Sequence, residues 1–447
     1  MKQTVLANNI NLQTRFLKQS SFLAKFLRFK IGKTSTVYCK RIMDILLSLL
    51  LLISLAPLLL TIYLLFYRQL SFRKEEMVGM LGKTFWCYKL DLTENRVSSF
   101  IRKLYFDRFL LLLNVLLGDM SIVGPRPLRS IEVDSRQALQ RTRHEVKPGM
   151  ICLWWIRQRA NIDYNSELDI DSEYVVTQST KADLGIVLRS LLAAFYGVRN
   201  GEVAKIVDVL GIPIHNLSMK EAVTEILKPR LEPIQISFIN ADCANISQKD
   251  RRYFDTLQSS DFNFADGIGL KLAGRILSKE IKQNVNGTDL FPLLCKELED
   301  SDKGIFLLGG RPGVAEDVCK WIEKNYPKVK VNGFHHGFFT ADEETGVIGK
   351  ISESGAQILL VAMGAPKQEK WLRHYLEETG VKVGIGVGGL FDFYSGRIPR
   401  APLWMREIGC EWLYRFYQEP RRMWKRYFVG NFLFLARVVF QRIFDVR

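Results

Sequence analysis

The second half of this sequence predicts a parallel α/β domain, and the first half predicts a mostly helical domain embedded in a membrane. Beyond residue 200, short apolar runs of strand length alternate with segments of helix length, which is typical of a parallel sheet covered by helices. The strand candidates are Ile234–Ile239, Gly304–Leu308, Ile358–Val361 and Val381–Val387, and the helix candidates include Gly313–Asn325 and Pro366–Glu378. Nearer the N-terminus, an uncharged apolar run of membrane-spanning length predicts the embedded domain.

The length of the chain favours two domains. It has 447 residues, more than a single domain usually holds. The polar, glycine-containing segment Val198–Glu202 follows a helical stretch that ends near Phe195, and the pattern of the sequence changes after it. We therefore place the boundary there and expect a membrane domain at residues 1–200 and an α/β domain at residues 201–447.

The net charge of +16 indicates an anionic partner, and both ends of the chain are basic. Residues 1–43 hold nine Lys or Arg and no acid, and residues 397–447 hold eleven Lys or Arg against four acids. Nucleic-acid binders share such a balance. However, both ends are also rich in Leu, Phe and Trp, which favours contact with anionic lipid over nucleic acid.

The apolar run Ile45–Tyr67 contains 23 residues without a charge, and about 20 suffice to cross a bilayer. Pro57 lies at its centre, and proline removes a helix hydrogen bond and kinks the helix. Two interpretations follow. The helix spans the membrane with a kink, or it breaks between Ser54 and Pro57 and returns to the same face. In both, the upstream basic residues keep the N-terminus cytoplasmic.

Two glycine turns follow predicted strands of the α/β domain. Gly309 and Gly310 come directly after the run at 304–308, and Gly364 precedes Lys367, Gln368 and Glu369 at the start of a predicted helix. Such turns let backbone N–H groups and a helix N-terminus approach phosphate, although a tight packing turn has the same sequence. We expect both turns at the carboxyl ends of parallel strands, where ligands of open α/β sheets bind.

Acidic residues and cysteines give little sign of a metal site. Asp266 and Asn240 each follow an apolar run and could face a cleft. Asp300 and Asp302 fit the D-x-D pattern of metal-dependent glycosyltransferases, but they continue an acidic helix end and are read as solvent-exposed. None of the seven cysteines forms a C-x-x-C pair, so the sequence suggests neither a zinc site nor a disulfide framework.

The C-terminal segment combines basic and aromatic residues. Glu411–Arg415 leads to the basic stretch Glu419–Tyr427, and then to Phe428–Phe444 with apolar residues at helical spacing. A basic helix followed by an aromatic one suits a membrane interface and the binding of a diphosphate. An ordinary packing helix with a solvated basic face remains the alternative.

Residues from about 207 to 434 resemble the WecG/TagA/CpsF glycosyltransferase family, and the matching motifs occur in family order across more than 200 residues. The motifs are Phe264-Ala265-Asp266-Gly267, Gly287-Thr288-Asp289-Leu290, Phe306–Val314, Gly364–Glu369, Gly388–Phe393, Arg400-Ala401-Pro402 and Glu411–Arg415. The resemblance implies a Rossmann-like sheet. It also implies transfer of a sugar, with inversion, from a UDP-sugar to undecaprenyl-diphosphate-linked N-acetylglucosamine, with no metal required.

The resemblance also implies roles for individual residues. Asp266 would be the general base that deprotonates the acceptor hydroxyl, and Asn240 and Asp289 would help to hold the substrate. The basic positions of the C-terminal appendage would stabilise the departing diphosphate, and they correspond here to Arg415, Arg422 and Lys425. The family often has Arg three residues before its Gly-x-Asp-Leu motif. That position is Asn284 in this chain.

The first 200 residues resemble the bacterial sugar transferases, the monotopic phosphoglycosyl transferases. The similar stretches are Lys40–Asp44, Gly118–Pro127 and Lys147–Gly149. In active members an Asp nucleophile is followed by a Glu that assists with Mg²⁺. Here Asp107 is followed by Arg108, and the preceding loop is short. The resemblance therefore implies a degenerate site in which Arg126 could still bind a lipid phosphate.

Taken together, these patterns predict a membrane-associated inverting glycosyltransferase on the cytoplasmic face of a bacterial inner membrane. Its N-terminal domain would re-enter the bilayer near Pro57. We expect a UDP-sugar donor and an undecaprenyl-diphosphate-linked sugar acceptor, with contact to membrane lipids and no nucleic acid. We expect Mg²⁺ only if the N-terminal domain is active. Formation of a homo-oligomer is left open by the sequence. Two alternatives remain: a bifunctional enzyme that also transfers a phospho-sugar to undecaprenyl phosphate, and a non-catalytic scaffold of a polysaccharide assembly complex.

Overall fold

The computed structural model describes residues 38–57, 60–61, 64, 70–92, 109–133, 142–160, 166–195 and 203–444. Their contacts form two compact units, and each unit is described by itself. The first lies within Met1–Ile156 and Asn165–Phe195, and the second within Arg157–Tyr164 and Tyr196–Arg447.

The first unit mixes helices and short sheets. Its helices are α1 at residues 38–57, α2 (Leu111–Leu117), α4 (Glu167–Thr177) and α5 (Thr180–Phe195), and helix α3 (Leu153–Ala160) begins in it. Its strands are β1 (Leu70–Val78), β2 (Thr84–Leu92), β3 (Ser121–Val123), β4 (Leu128–Arg129) and β5 (Gly149–Ile151). They form a three-stranded sheet in the order β2-β1-β4 and a parallel pair of β3 with β5.

A long antiparallel hairpin in the first unit is not predicted by the sequence analysis, which expects mainly helices there. Strands β1 and β2 pair along their whole length and end with Val78 opposite Thr84. Gly82 has a φ of 78° in the connecting turn, a conformation that glycine adopts at little cost. Phe85 and Cys87 are buried on one face of the hairpin, so alternate residues of β2 supply its core.

A buried polar cluster anchors helix α1 within the first unit. The Lys40 Nζ atom donates to the Val123 carbonyl oxygen at 2.8 Å, to the Tyr174 hydroxyl at 2.9 Å and to Asp183 Oδ2 at 2.5 Å. The Tyr174 hydroxyl donates to Asp183 Oδ1 at 2.8 Å. Because a buried charge is stable only when paired and hydrogen-bonded, this cluster fixes the start of α1 against α4 and α5.

Residues 54–57, where the sequence predicts a break in the apolar run, are helical. Helix α1 includes Pro57, and residues 60, 61 and 64 are also helical. The Thr61 hydroxyl donates to the Pro57 carbonyl oxygen at 2.8 Å, which gives that oxygen a partner next to the proline. The return of the chain to the same membrane face lies outside the described residues and stays a prediction.

The second unit is built on a six-stranded, wholly parallel sheet in the order β11-β10-β12-β13-β8-β9. This confirms the predicted parallel α/β fold. The strands are β8 (Ile234–Ile239), β9 (Phe262–Ala265), β10 (Gly304–Gly309), β11 (Lys330–His335), β12 (Ile358–Ala362) and β13 (Val383–Gly386). A separate hairpin consists of β6 (Ile206–Val209) and β7 (Ile212–His215).

Helices connect these strands and cover both faces of the sheet. Between the strands lie α6 (Met219–Leu227), α7 (Ala241–Ser247), α8 (Arg251–Gln258), α9 (Ile268–Ile276), α10 (Gly287–Leu298), α11 (Val314–Asn325), α12 (Ala341–Glu353) and α13 (Lys367–Tyr375). After the last strand come α14 (Leu390–Tyr394), α15 (Leu403–Glu407), α16 (Glu411–Gln418), α17 (Pro420–Trp424), a π-helical segment at Lys425–Gly430 and α18 (Asn431–Phe444).

The continuous apolar runs in the central strands follow from burial on both faces. In β10, Ile305 and Leu307 pack in one core, and Phe306 and Leu308 pack in another. Successive side chains of a strand point to opposite faces, so both faces of this strand need apolar residues. Edge strand β11 is half-exposed and carries a weaker apolar pattern, which is why the sequence analysis does not include it.

The C-terminal helix packs on the β6–β7 hairpin. Phe434 and Val438 are fully buried in a cluster with the hairpin residues, and Gln441 accepts a hydrogen bond from the Leu210 N–H at 2.9 Å. The apolar side chains Phe432 and Phe440 are exposed on the same helix. In the part of the chain that the structure describes, Lys425–Phe444 is the one helix long and apolar enough to cross a bilayer, by length and composition only.

Candidate active site

A cavity of about 1010 Å³ opens beyond the carboxyl ends of the central strands of the second unit. Strands β8 and β13, the first and the last strand of this sheet along the chain, are neighbours here. Ligands of open α/β sheets bind outside the carboxyl ends of the strands. The residues that follow four adjacent strands line the cavity, namely Asn240 after β8, Asp266 after β9, Gly364 after β12 and Gly388 after β13.

Asp266 faces this cavity beside Asn240. The Asn240 Oδ1 atom accepts hydrogen bonds from the Asp242 and Cys243 N–H groups, both at 3.0 Å, and so caps helix α7. Because the oxygen is used in the cap, the amide group of Asn240 is the one that donates to the Asp266 carboxylate. The predicted pair is therefore brought together by the ends of β8 and β9.

The carboxylate of Asp266 is held in a mixed electrostatic environment. Burial raises its pKa above the ordinary value for aspartate, while the positive charge of Arg415 and the hydrogen bond from Asn240 oppose that increase. A carboxylate with a raised pKa is a stronger base than a solvent-exposed one. The site thus contains an acceptor for a proton, next to a cation whose charge opposes the rise in its pKa.

Gln368 joins two loops of the cavity wall. Its Oε1 atom accepts the Gly364 N–H at 3.1 Å and the Gly388 N–H at 3.0 Å, and its Nε2 atom donates to Glu369 Oε1 at 2.7 Å. The side chain is buried, although it reaches the lining of the cavity. Gln368 therefore fixes the ends of β12 and β13 relative to each other.

Glu369 and Lys367, the neighbours of Gln368, do not line the cavity. Glu369 is fully buried, and burial raises its pKa to about 7. Lys367 is exposed, with its Nζ atom 5.6 Å from the centre of the Phe339 ring. Of the residues predicted in this turn, Gly364 and Gln368 form the cavity wall.

The Gly309–Gly310 turn is a packing turn in this structure and also lies outside the cavity lining. The Gly310 N–H donates to the Ala362 carbonyl oxygen at 3.0 Å, and a side chain at Gly309 would overlap that same residue. Strand β10 is separated from β8 by β12 and β13. The turn therefore lies to one side of the strand ends that line the cavity, and the sequence pattern alone could not reveal this distance.

Asp289 lines the cavity, but its carboxylate already has protein partners. The Asn286 Nδ2 atom donates to Asp289 Oδ2 at 2.7 Å, and the guanidinium groups of Arg400 and Arg406 form ion pairs with Oδ1. Glu411 also pairs with Arg400, at 3.5 Å. The geometry favours a role for Asp289 in holding the two arginines at the cavity wall over a direct contact with substrate.

The basic appendage supplies cations to the cavity. The guanidinium of Arg415 lies 4.6 Å from the centre of the Phe393 ring, and both residues line the cavity with Lys425. The side chain of Arg422 lies outside the described residues. Arg426, which the sequence analysis did not single out, also lines the cavity, and its Nε atom is 3.1 Å from Asp242 Oδ2.

Several other lining residues were not predicted as site residues. They include three basic residues and three neutral ones, namely Lys249, Lys271, Arg406, Asn284, Asn286 and Gly388. Gly388 belongs to a motif that the sequence analysis quotes, and Arg406 lies between two such motifs. Their position in or near a motif is the sequence feature that could have identified them as site residues. Lys249 and Lys271 carry no sequence signal that separates them from surface lysines.

The D-x-D pattern lies at the opposite end of the sheet. Asp302 precedes strand β10, is exposed, and pairs with Lys330 at 3.1 Å. The cavity lies beyond the carboxyl ends of the strands, so the acidic helix end is a solvated surface, as the sequence analysis expects.

Comparison with known proteins identifies the second unit. The sequence model of the glycosyl transferase WecG/TagA/CpsF family matches residues 207–447. This chain belongs to that family. The matched region contains the whole parallel sheet, the cavity and the basic appendage. The described site therefore lies within the part of the chain that the family model covers.

Two curated proteins are similar to part of this glycosyltransferase. An N-acetylglucosaminyldiphosphoundecaprenol N-acetyl-beta-D-mannosaminyltransferase of Bacillus subtilis (strain 168) is 37% identical over 191 residues, which is 43% of this chain and 73% of the relative. A protein of the same description from Bacillus spizizenii is 30% identical over 180 residues, which is 40% of this chain and 69% of the relative.

The first unit of this glycosyltransferase matches a second family. The sequence model of the bacterial sugar transferases covers residues 35–197. Asp107 and Arg108, the predicted degenerate pair, lie outside the described residues. The Arg126 Nε atom donates to Glu167 Oε1 at 2.7 Å, and its Nη1 atom is 3.8 Å from Glu132 Oε1. Its charge is therefore already balanced by two carboxylates.

Proposed function

We propose that this protein transfers an N-acetylhexosamine from its UDP-sugar to N-acetylglucosamine linked to undecaprenyl diphosphate. N-acetylmannosamine is the first candidate for the donor sugar, because both similar Bacillus proteins carry that activity in their descriptions. The single observation that carries the proposal is the pairing of Asp266 with Asn240 in a cavity that is also lined by basic residues of the appendage. This arrangement matches the two requirements of the reaction: a base for the acceptor and cations for the leaving diphosphate.

The proposed reaction is a single inverting displacement. The Asp266 carboxylate takes the proton from the acceptor hydroxyl while that oxygen bonds to the anomeric carbon of the donor sugar. The bond from the anomeric carbon to the β-phosphate oxygen breaks on the opposite face, and its electron pair leaves with UDP. The products are the extended lipid, with inverted anomeric configuration, and UDP.

Cations of the appendage would stabilise the UDP that leaves. Arg415 and Lys425 line the cavity, and Arg426 extends this basic group. Hydrogen bonds from guanidinium or ammonium groups to phosphate are roughly twice as strong as neutral ones. They act most strongly where water is excluded. In this proposal the appendage has the part that a bound metal plays in D-x-D enzymes, and the C-terminal domain needs no cofactor.

We place the enzyme on the cytoplasmic face of a bacterial inner membrane. The exposed apolar residues Phe428, Phe432 and Phe440 share the C-terminal helical region with the basic residues of the cavity wall. Apolar and basic residues on one helix suit the surface of an anionic bilayer. The first unit would add a second attachment through a re-entrant helix α1, with residues 1–200 as the membrane domain and residues 201–447 as the transferase domain.

A bifunctional enzyme is the second candidate, and the match of residues 35–197 to the bacterial sugar transferases favours it. In that case the N-terminal domain would make the lipid-linked sugar that the C-terminal domain extends. We favour an N-terminal domain without this activity because Arg108 stands where active members have a carboxylate, and a cation there would repel Mg²⁺.

The proposal is tested with purified full-length protein in detergent or nanodiscs. Undecaprenyl-diphosphate-N-acetylglucosamine is supplied with UDP-N-acetylmannosamine, UDP-N-acetylglucosamine, UDP-glucose or UDP-galactose, and lipid products are analysed by mass spectrometry. We expect an extension by one N-acetylhexosamine and release of UDP, both reduced to background in Asp266→Asn. If no donor extends the lipid, or if Asp266→Asn extends it at the normal rate, the proposal is wrong.

A further inference from the structure

The segment that contains Asn284 runs beside the turn that carries Asp266. The Val285 N–H donates to the Ala265 carbonyl oxygen at 2.8 Å. Two residues further along the turn, the Gly267 N–H donates to Asn284 Oδ1 at 2.5 Å. These two hydrogen bonds enclose Asp266, one on each side along the chain. The segment therefore supports the backbone of Asp266 although it follows the turn by many residues.

The backbone conformation of Gly267 explains why the turn needs the hydrogen bond with the Asn284 segment. It has φ 92° and ψ 164°, a conformation that residues with a side chain rarely adopt, and it precedes helix α9 without a side-chain cap. An added Cβ atom at Gly267 would meet no atom within 4 Å, so the glycine is required by its backbone angles and not by crowding. The bond to Asn284 is the contact that holds its N–H group in this unusual conformation.

The orientation of the Asn284 carboxamide follows from this bond. Of the two ends of a carboxamide only the oxygen accepts a hydrogen bond, so the Oδ1 atom faces the Gly267 N–H and the Nδ2 group points elsewhere. Asn284 and Gly267 both line the cavity. The Nδ2 group makes no hydrogen bond to any residue that the structure describes, which leaves two N–H donors available for a ligand.

A neutral donor at this place suits a sugar better than a phosphate. Cations line the cavity from several segments, with Arg415, Lys425 and Arg426 on the appendage and Lys271 on helix α9. The neutral side chain of Asn284 lies on the segment next to the base. The ligand group nearest to the base is the acceptor sugar that gives up its proton. Hydroxyl and acetamido oxygens of that sugar are neutral acceptors that a carboxamide can bind.

We propose that Asn284 positions the Asp266 turn through its Oδ1 atom and binds an oxygen of the acceptor sugar through its Nδ2 group. This inference rests on the proposed function, because it places the acceptor sugar beside Asp266. It assigns a role to the position where related enzymes often have arginine. In this chain, Asn284 would bind a neutral group of the acceptor sugar, and the cations of the appendage would bind the diphosphate.

Three variants separate the two halves of the inference. Asn284→Asp keeps an oxygen for the Gly267 N–H but removes the donor, Asn284→Ala removes both, and Asn284→Arg adds a cation. Lys282→Ala is the matched control, because Lys282 lies in the same segment but forms a half-exposed ion pair with Glu221 away from the cavity. All variants are made in the full-length protein.

Hydrogen–deuterium exchange of peptides that contain Gly267 tests the positioning half without any substrate. We expect faster exchange of the Gly267 amide in Asn284→Ala and near-normal exchange in Asn284→Asp and Lys282→Ala. Equal exchange in Asn284→Ala and the unmodified protein would refute the positioning role. This readout does not depend on turnover, so it separates failure of the inference from failure of the proposed function.

Kinetics with the lipid acceptor test the binding half, each enzyme being assayed at its own optimum pH. We expect Asn284→Asp to raise the KM for the acceptor about tenfold, the effect of one lost hydrogen bond, with little change in affinity for UDP. Asn284→Ala should also lose kcat because the base is displaced. If Asn284→Arg binds UDP more tightly and turns over at full rate, or if Asn284→Asp has a normal acceptor KM, the position does not recognise the acceptor sugar.

Discussion

The Oδ1 atom of Asn240 caps helix α7, and this cap turns the amide group of the same side chain toward the carboxylate of Asp266. One residue thus ends strand β8, begins a helix and supplies a hydrogen bond to the proposed base. The hydrogen bond from Asn240 opposes the rise in the pKa of Asp266 that burial causes.

Substitution of Asn240 distinguishes the cap from the donor. Asp is as good an N-cap as Asn, so Asn240→Asp should keep the helix and the melting temperature nearly unchanged. It replaces a donor with a second carboxylate beside Asp266, so we expect a large loss of kcat. Asn240→Ala should lose activity and also about 1 kcal/mol of unfolding free energy. Thermal denaturation and single-turnover rates check both, and unchanged turnover in Asn240→Asp would contradict the assigned donor.

The raised pKa of Asp266 predicts the acid limb of the pH–rate profile. The base must be ionised, so kcat/KM should fall as the pH falls through a pKa above that of an ordinary aspartate. Removal of the Arg415 charge should raise this pKa further and move the acid limb to higher pH in Arg415→Ala. Lys320→Ala, an exposed change in the same domain, serves as the control. An acid limb that does not move in Arg415→Ala would show that Arg415 does not act on the base.

Replacement of the proposed base itself has a separate expectation. A positioned general base contributes about 10²–10⁴-fold to the rate, so Asp266→Asn should reduce kcat by that order. Binding of UDP, measured by calorimetry, should stay near normal because the phosphate contacts come from the appendage. A parallel loss of UDP affinity and melting temperature would instead indicate a structural role.

The raised pKa of the buried Glu369 carboxyl group predicts an unusual dependence of stability on pH. Its pKa is about 7 in the folded protein against 4.5 for the free side chain, so the folded state binds the proton more tightly than the unfolded state. Stability should therefore fall as pH rises from about 4.5 to 7, by an amount on the order of 3 kcal/mol. Glu369→Gln keeps an oxygen for Gln368 and cannot ionise.

The Glu369→Gln variant should melt at a higher temperature than the unmodified protein at pH 8, and the difference should shrink toward pH 5. Melting curves across this range measure the effect. Gln235 also contacts this residue, through the Glu369 carbonyl oxygen at 3.1 Å, and that bond is unaffected by the substitution. An equal difference in melting temperature at pH 5 and pH 8 would mean that Glu369 is ionised in the folded protein.

The N-terminal domain is expected to lack phosphoglycosyl transferase activity. Full-length protein with undecaprenyl phosphate, Mg²⁺ and a UDP-sugar should release no more UMP than its Asp107→Asn variant, because Arg108 disfavours Mg²⁺ beside Asp107. UMP formation is measured by chromatography. Steady release of UMP that disappears in Asp107→Asn would establish the bifunctional enzyme in place of the single transferase.

The sequence predicted the central strands well and the edge strands poorly. Ile234–Ile239 is a strand as predicted, and three other predicted runs contain strands with slightly different ends. These strands are buried on both faces, so their apolar runs are continuous and easy to recognise. The hairpin formed by Leu70–Val78 and Thr84–Leu92 was missed because it lies in a region that reads as mixed, where few of the described strand residues are buried and Phe85 and Cys87 alternate with exposed ones.

The candidate site was predictable where a motif ends a central strand. Asp266, Asn240, Gly364 and Gln368 line the cavity as expected. Gly309, Gly310, Lys367 and Glu369 share the same motifs but do not line it. A motif fixes which residues follow a strand, while the distance of that strand from the cavity depends on the order of strands in the sheet.

The sequence by itself determined the family of the second half, the parallel α/β fold and the identity of the proposed base, because these depend on local motifs and on the alternation of apolar runs. The tertiary structure alone decided that Asn284, Arg406 and Arg426 join the predicted residues in the same cavity. Asn284 and Asn240 approach Asp266 from distant parts of the chain, and Arg406 and Arg426 reach the same cavity. Such contacts form only when burial of apolar residues brings remote segments together, and no local pattern records them.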